Sequence, residues 1–149
     1  MIVRQATLLD ILTLAPLAAD YSEEAKKHSN FPFDAEYAMN SMANSLMTDG
    51  AAFICFRDNE PVGFLWGFLS TLPWSRAKIA FDVILYVKPE CRGGRSAIKL
   101  FSAYEEWAKK NGAVEIQISV ASGIHEESTG RLYNRLGYNH LGTQYRKEL

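Results

Sequence analysis

The residues most able to do chemistry lie in one short stretch, Lys88-Pro89-Glu90-Cys91-Arg92-Gly93-Gly94-Arg95-Ser96. An apolar run from Ile79 to Val87 feeds into it, and a helical pattern leaves it. Glycines at a strand-to-helix turn free main-chain N–H groups to point into one concavity. The helix N-terminus adds unsatisfied donors and the positive end of its dipole, so the turn suits an anion. Lys88, Arg92, Arg95 and Lys99 crowd the same turn and fit a diphosphate or phosphate ester better than a lone carboxylate. Neither GxxxxGK[ST] nor GxGxxG is present. The competing reading is a tight turn with solvated basic residues.

The flanking elements follow from periodicity. Met1 to Ala6 reads as a strand, and Thr7 with Asp10 forms a capping-box pattern. Leu8, Ile11, Leu12, Ala15 and Ala18 then recur at helical spacing, with Pro16 set to kink or shorten that helix. Asp34 caps a second helix with an apolar face of Ala35, Ala38, Met39, Met42 and Leu46. Ala51–Arg57 and Val62–Thr71 flank a turn and predict an antiparallel hairpin. Gly63 and Gly67 share one face of its second strand, where another backbone or side chain can approach closely. After the glycine turn, Ala97, Leu100, Phe101, Tyr104, Trp107 and Ala108 mark a strong amphipathic helix. Val114, Ile116, Ile118 and Val120 alternate with polar residues as a strand. A last helix runs from about His125 to Leu136, and Tyr138 to Lys147 reads as a strand or hairpin.

The predicted fold is therefore one mixed α/β domain over residues 1–149. Its central sheet should have about six or seven strands, flanked by about four helices. Hydrophobic residues make up 48%, enough for a core without staples. Sixteen basic residues against seventeen acidic ones argue against a globally basic nucleic-acid binder. Cys55 and Cys91 show no metal spacing, and His125 and His140 add none, so no metal is expected. The N-terminus lacks a signal-peptide pattern, and no apolar run is long enough to span a bilayer. These features predict a soluble cytoplasmic protein.

Ile84 to Leu100, ILYVKPECRGGRSAIKL, resembles the signature of the GCN5-related N-acetyltransferase (GNAT) family. That signature is an apolar strand, V-x-P, then Arg/Gln-x-x-Gly-x-Gly/Ala and a helix. Arg92 matches its first position and Ala97 its last, while Arg95 stands where the family usually has glycine. Arginine tolerates positive φ poorly and could crowd the phosphates or add a charge to them. The resemblance extends over the chain, and Tyr133-Asn134-Arg135-Leu136-Gly137-Tyr138 is similar to the family's late Tyr-x-x-x-Gly-Phe/Tyr segment.

The resemblance implies an acetyl-CoA-dependent N-acetyltransferase that transfers to a primary amine by direct attack in a ternary complex. It places the pyrophosphate on Arg92, Gly93, Gly94, Arg95, Ser96 and Ala97. It places the pantetheine amides and thioester oxygen along Leu85, Tyr86 and Val87. It makes Tyr133 the general acid toward the thiolate. Asp82 is the one acid inside its apolar strand and is the candidate base or anchor for the amine. Alternation puts it on a face with Ile84 and Tyr86. Glu23, Glu24 and Glu36 are secondary candidates on solvated helix faces. Phe31, Phe33, Tyr37 and Trp74, with His28, are candidates for an aromatic wall around a cationic amine. The competing function is a non-catalytic CoA-binding or protein-interaction module of the same fold. A homodimer built on the C-terminal strands is also implied by the resemblance.

Overall fold

A computed structural model describes residues 1–26, 29, 31–120 and 125–149. Five strands form one sheet in the order β1-β2-β3-β4-β5. They are β1 Ile2–Gln5, β2 Gly50–Arg57, β3 Glu60–Thr71, β4 Lys78–Val87 and β5 Ala113–Gln117. Neighbours are antiparallel except β4 and β5, which run parallel around the crossover helix α3, Ser96–Lys110. The remaining helices are α1 Ile11–Ala25, α2 Ala35–Met47 and α4 Glu126–Arg135. Asp58 and Asn59 both take positive φ in the tight turn that joins β2 to β3.

The sheet buries a different core on each face. On one side Leu14, Leu17 and Ala18 of α1 and Met42 of α2 pack on Ala52, Ile54, Phe64 and Tyr86. On the other, Leu100, Phe101, Tyr104 and Ala108 of α3 pack on Phe53, Leu65, Ala80 and Val87. Pro16 leaves α1 unbroken. The Asp10 carboxylate is buried ahead of α1. It accepts from Arg4 Nη1 and Nη2 at 2.8 and 2.7 Å and from the Thr7 N–H at 2.8 Å.

These donors hold the Asp10 carboxyl down at about 2. A depressed native value contributes stability that is present above the unfolded value of about 3.9 and is lost as pH falls toward about 2. Asp10→Asn is expected to cost about 2 kcal/mol at pH 7, with the deficit closing in acid; urea unfolding at both pH values checks this. An equal deficit at pH 7 and pH 2.5 would mean that charge plays no part.

Three expectations change. The sheet has five strands among the described residues, because 138–149 forms no ladder and, beyond Tyr138, lies exposed. Gly137, at φ +90, ends α4, and the Tyr138 ring then packs on Phe101 and Tyr133. Leu141 and Tyr145 beyond it find no apolar face to cover. Next, β5 ends at Gln117 instead of reaching Val120, and Val114 points outward while Ala113 and Ile116 pack inward. A register shift at Lys78/Ile79 accounts for that change of face.

The third concerns β4. Trp66 pairs with Ile84, but Gly67 pairs with Asp82, so Val83 is the extra residue of a β-bulge. The bulge breaks the alternation. Ile84 and Tyr86 face α1 and α2, whereas Asp82 meets groups on the α3 and α4 side.

Candidate active site

Pairing between β4 and β5 stops at Phe81 opposite Gln117. Beyond that rung β4 keeps its β3 partners, with Leu85, Tyr86 and Val87 opposite Leu65, Phe64 and Gly63. Among the described residues no strand pairs with its other edge there. A cleft of about 910 Å³ fills the gap, within the range that small-molecule sites use. Its wall carries Asp82 to Val87, the Arg92-Gly93-Gly94 turn, Ala97, Ser119 and Tyr133.

At one end lies the glycine turn. Gly93 takes φ +78, and an added Cβ at Gly93 or Gly94 would meet nothing within 4 Å. Arg95 has φ −89 and ψ −3, at negative φ, so the arginine does not have to take the left-handed conformation it tolerates poorly. The glycine freedom that the turn needs is supplied by Gly93. The first i→i−4 bond of α3 joins Lys99 N–H to the Arg95 carbonyl, leaving the earlier N–H groups of the turn outside the helical ladder. The Ser96 side chain is buried, with Oγ against Met1 Sδ at 3.6 Å, so Ser96 can offer the cleft only its main chain.

Arg92 differs from expectation. Its guanidinium is occupied by protein partners. Nε donates to the Val87 carbonyl at 2.8 Å, and the two Nη atoms fork onto the Glu24 carboxylate, one at 2.7 Å. His125 Nε2 lies 3.2 Å from Nη1 and 3.4 Å from Glu24 Oε1, and the guanidinium lies over the Tyr86 ring. Each partner holds the other's charge: the Glu24 carboxyl is lowered and the Arg92 guanidinium raised. Arg92 thus ties the turn to α1 and to the start of α4.

At the other end Asp82 and Tyr133 meet through one residue. Asp82 Oδ1 accepts from the Ser119 N–H at 3.2 Å, and the Tyr133 hydroxyl donates to the Ser119 carbonyl at 3.0 Å. Burial pushes the Asp82 carboxyl up to about 6, and the Ser119 N–H only partly offsets it. Burial and then the Asp82 charge push the Tyr133 phenol well above its usual value. A carboxyl raised toward neutrality and a phenol kept protonated have the proton affinities that a general base and a general acid require.

The acetyltransferase (GNAT) family profile matches residues 13–138. The chain belongs to the GNAT acetyltransferase family. Solved structures agree on the GNAT fold. A ribosomal-protein-alanine N-acetyltransferase from Brucella melitensis biovar Abortus 2308 superposes at TM-score 0.74 with 17% identity, covering 100% of both chains. An aminoglycoside acetyltransferase from an uncultured soil metagenomic sample, in complex with sisomicin, gives TM-score 0.77 at 15% identity, with coverage of 99% and 95%. A predicted acetyltransferase with acetyl-CoA from Clostridium acetobutylicum gives 0.81 at 14%, with coverage of 99% and 95%. Comparison with curated protein sequences finds no match.

Within this GNAT domain the aromatic candidates do not gather. Phe31 and Tyr37 are 83% and 74% exposed, Phe33 is also exposed, and none of the three lines the cleft. Trp74 is 80% exposed on the loop that leads into β4, at the opposite end of that strand from the Arg92 turn. His28 lies outside the described residues. Glu23 pairs with Lys26 on the surface and Glu36 is exposed. Glu24 was set among solvated helix positions in the sequence, yet it lines the cleft. Its partner is 68 residues away, so no local spacing marks it. Ser119 joins Asp82 to Tyr133 through its main chain, which side-chain patterns do not reveal.

Proposed function

We propose that this GNAT domain transfers an acetyl group from acetyl-CoA to a primary amine by direct attack in a ternary complex. The observation that carries the reading is the open edge of β4, with the glycine turn at one end and the Asp82–Ser119–Tyr133 link at the other. The residues fit an acyl-CoA. The turn has room and main-chain donors for a pyrophosphate, and the strand edge matches amide groups along a pantetheine arm. When bound, acetyl-CoA supplies an activated thioester.

The protein's part is proton handling and alignment. Asp82, as carboxylate, accepts a proton from the substrate ammonium, leaving a nucleophilic amine. The amine nitrogen bonds to the thioester carbonyl carbon and then releases its second proton to solvent, from which the Tyr133 phenolate left by the last step is reprotonated. Main-chain N–H groups along Leu85 to Val87 stabilise the oxygen as charge develops. The C–S bond then breaks, and Tyr133 delivers a proton to sulfur. The acceptors named for two structural neighbours, an aminoglycoside and a ribosomal-protein alanine, both present amines. We assign the same acceptor class here.

Calorimetric titration with acetyl-CoA tests the first requirement. Micromolar binding is expected, with thermal stabilisation of ~2.7 kcal/mol at 100 times Kd. Gly93→Val places a β-branched side chain at positive φ and should weaken binding by about tenfold or more. No heat at millimolar acetyl-CoA would sink the reading. Binding without turnover on any amine would favour the non-catalytic module.

A further inference from the structure

Asp82 does not point where the pleat alone would send it, and a buried side chain of a neighbouring helix meets the strand at that place. Tyr104 of α3 is fully buried, flanked by Trp107 in a stacked pair at 5.5 Å and by Phe53 edge-on at 6.3 Å. A buried phenol needs a hydrogen-bond partner. Its hydroxyl donates to the Phe81 carbonyl at 2.6 Å, the residue just before Asp82. The hydroxyl sits in space that exists because position 67 is glycine. A Cβ there would overlap Tyr104 Oη and stand 2.6 Å from Cε2 and 2.5 Å from the Phe81 carbonyl oxygen. Gly67 is also the residue paired with Asp82, at the rung where Val83 bulges out.

A missing side chain, a buried donor and a strand irregularity therefore meet at one point. We propose that Tyr104, seated in the space Gly67 leaves, is a positioning residue that holds the β4 bulge and so aims Asp82 into the cleft. The kinetic consequence rests on the reading of Asp82 as the base; the geometric one does not. The groups facing Asp82 are Tyr104 from α3, Tyr133 from α4 and the Ser119 N–H beyond β5, while β3 presents Gly67 with no side chain.

Nuclear magnetic resonance reads the position directly, because the Ser119 N–H donates to Asp82. Its amide shift should titrate with the carboxyl, and Asp82→Asn should abolish that transition. In Tyr104→Phe the midpoint should fall toward the ordinary carboxyl value of about 3.9 as Asp82 turns to solvent. In the same variant kcat should fall while KM for acetyl-CoA holds. Trp107→Phe loosens the same core but spares the hydroxyl, and should titrate as wild type.

An unmoved Ser119 midpoint in folded Tyr104→Phe overturns the proposal. So does an equal shift in Trp107→Phe, which would point to general loosening. If Tyr104→Phe fails to fold, Gly67→Ala attacks the contact from the other side and must move the midpoint; no shift there overturns the proposal as well. A midpoint that moves in Tyr104→Phe, in an enzyme whose wild-type rate profile ignores Asp82, upholds the positioning and removes Asp82 as base.

Discussion

Asp82→Asn is expected to lower kcat/KM by about 10²–10⁴-fold and to raise thermal stability at the same time. The activity loss follows if the carboxylate takes the ammonium proton. In the wild type, with the carboxyl at about 6, kcat/KM should rise through pH 6 as the base ionises. That limb should vanish in the variant. The stability gain follows from the same burial. The folded state holds a proton that the unfolded chain releases near pH 3.9, so between those values it binds more protons than the unfolded chain. Native stability therefore falls as pH rises through that window, and the deficit is complete above about pH 6. A neutral asparagine lacks the deficit, and its amide oxygen still accepts from Ser119. A gain on the order of 2 kcal/mol at pH 8, absent at pH 3, is expected from thermal melts. A variant that is inactive and less stable at pH 8 would show a structural aspartate instead.

Tyr133→Phe should lower kcat by about 10²-fold or more with little change in KM for acetyl-CoA. The substitution removes one oxygen and keeps the ring. Its edge contact with Phe101 at 5.5 Å and its tilted contact with Tyr138 remain. Because the phenol is raised well above its usual value, wild-type activity should show no basic limb from this group below pH 10. The diagnostic is the leaving group. An acyl donor whose thiolate departs without a proton should restore much of the rate in the variant. If it restores nothing, the hydroxyl's bond to Ser119 matters for shape and not for proton delivery.

Local pattern carried most of the fold. The helical faces of α2 and α3 and the β2–β3 hairpin follow from spacing that a single segment contains. The glycine turn was legible for the same reason, since strand, turn and helix are consecutive. The facing of Asp82 was not. One unpaired residue, Val83, reverses the parity of everything before it, and nothing in ILYV or FDV announces a bulge. The signal was Gly67, flagged for close approach, but its visitor Tyr104 comes from another element. The Glu24–Arg92–His125 cluster was hidden by distance along the chain. The last strand failed because alternation in 138–147 had no apolar surface to answer it.

The open edge of β4 has a consequence for association between copies. A strand with unsatisfied main-chain groups is a template on which other chains can add. Here that template is not at the rim of the sheet. It lies inward of β5, recessed beneath the start of α4 and the Arg92 tie to α1. A slim extended arm is the shape that suits it. The domain thus keeps, inside its cleft, the capacity to pair with one more extended chain.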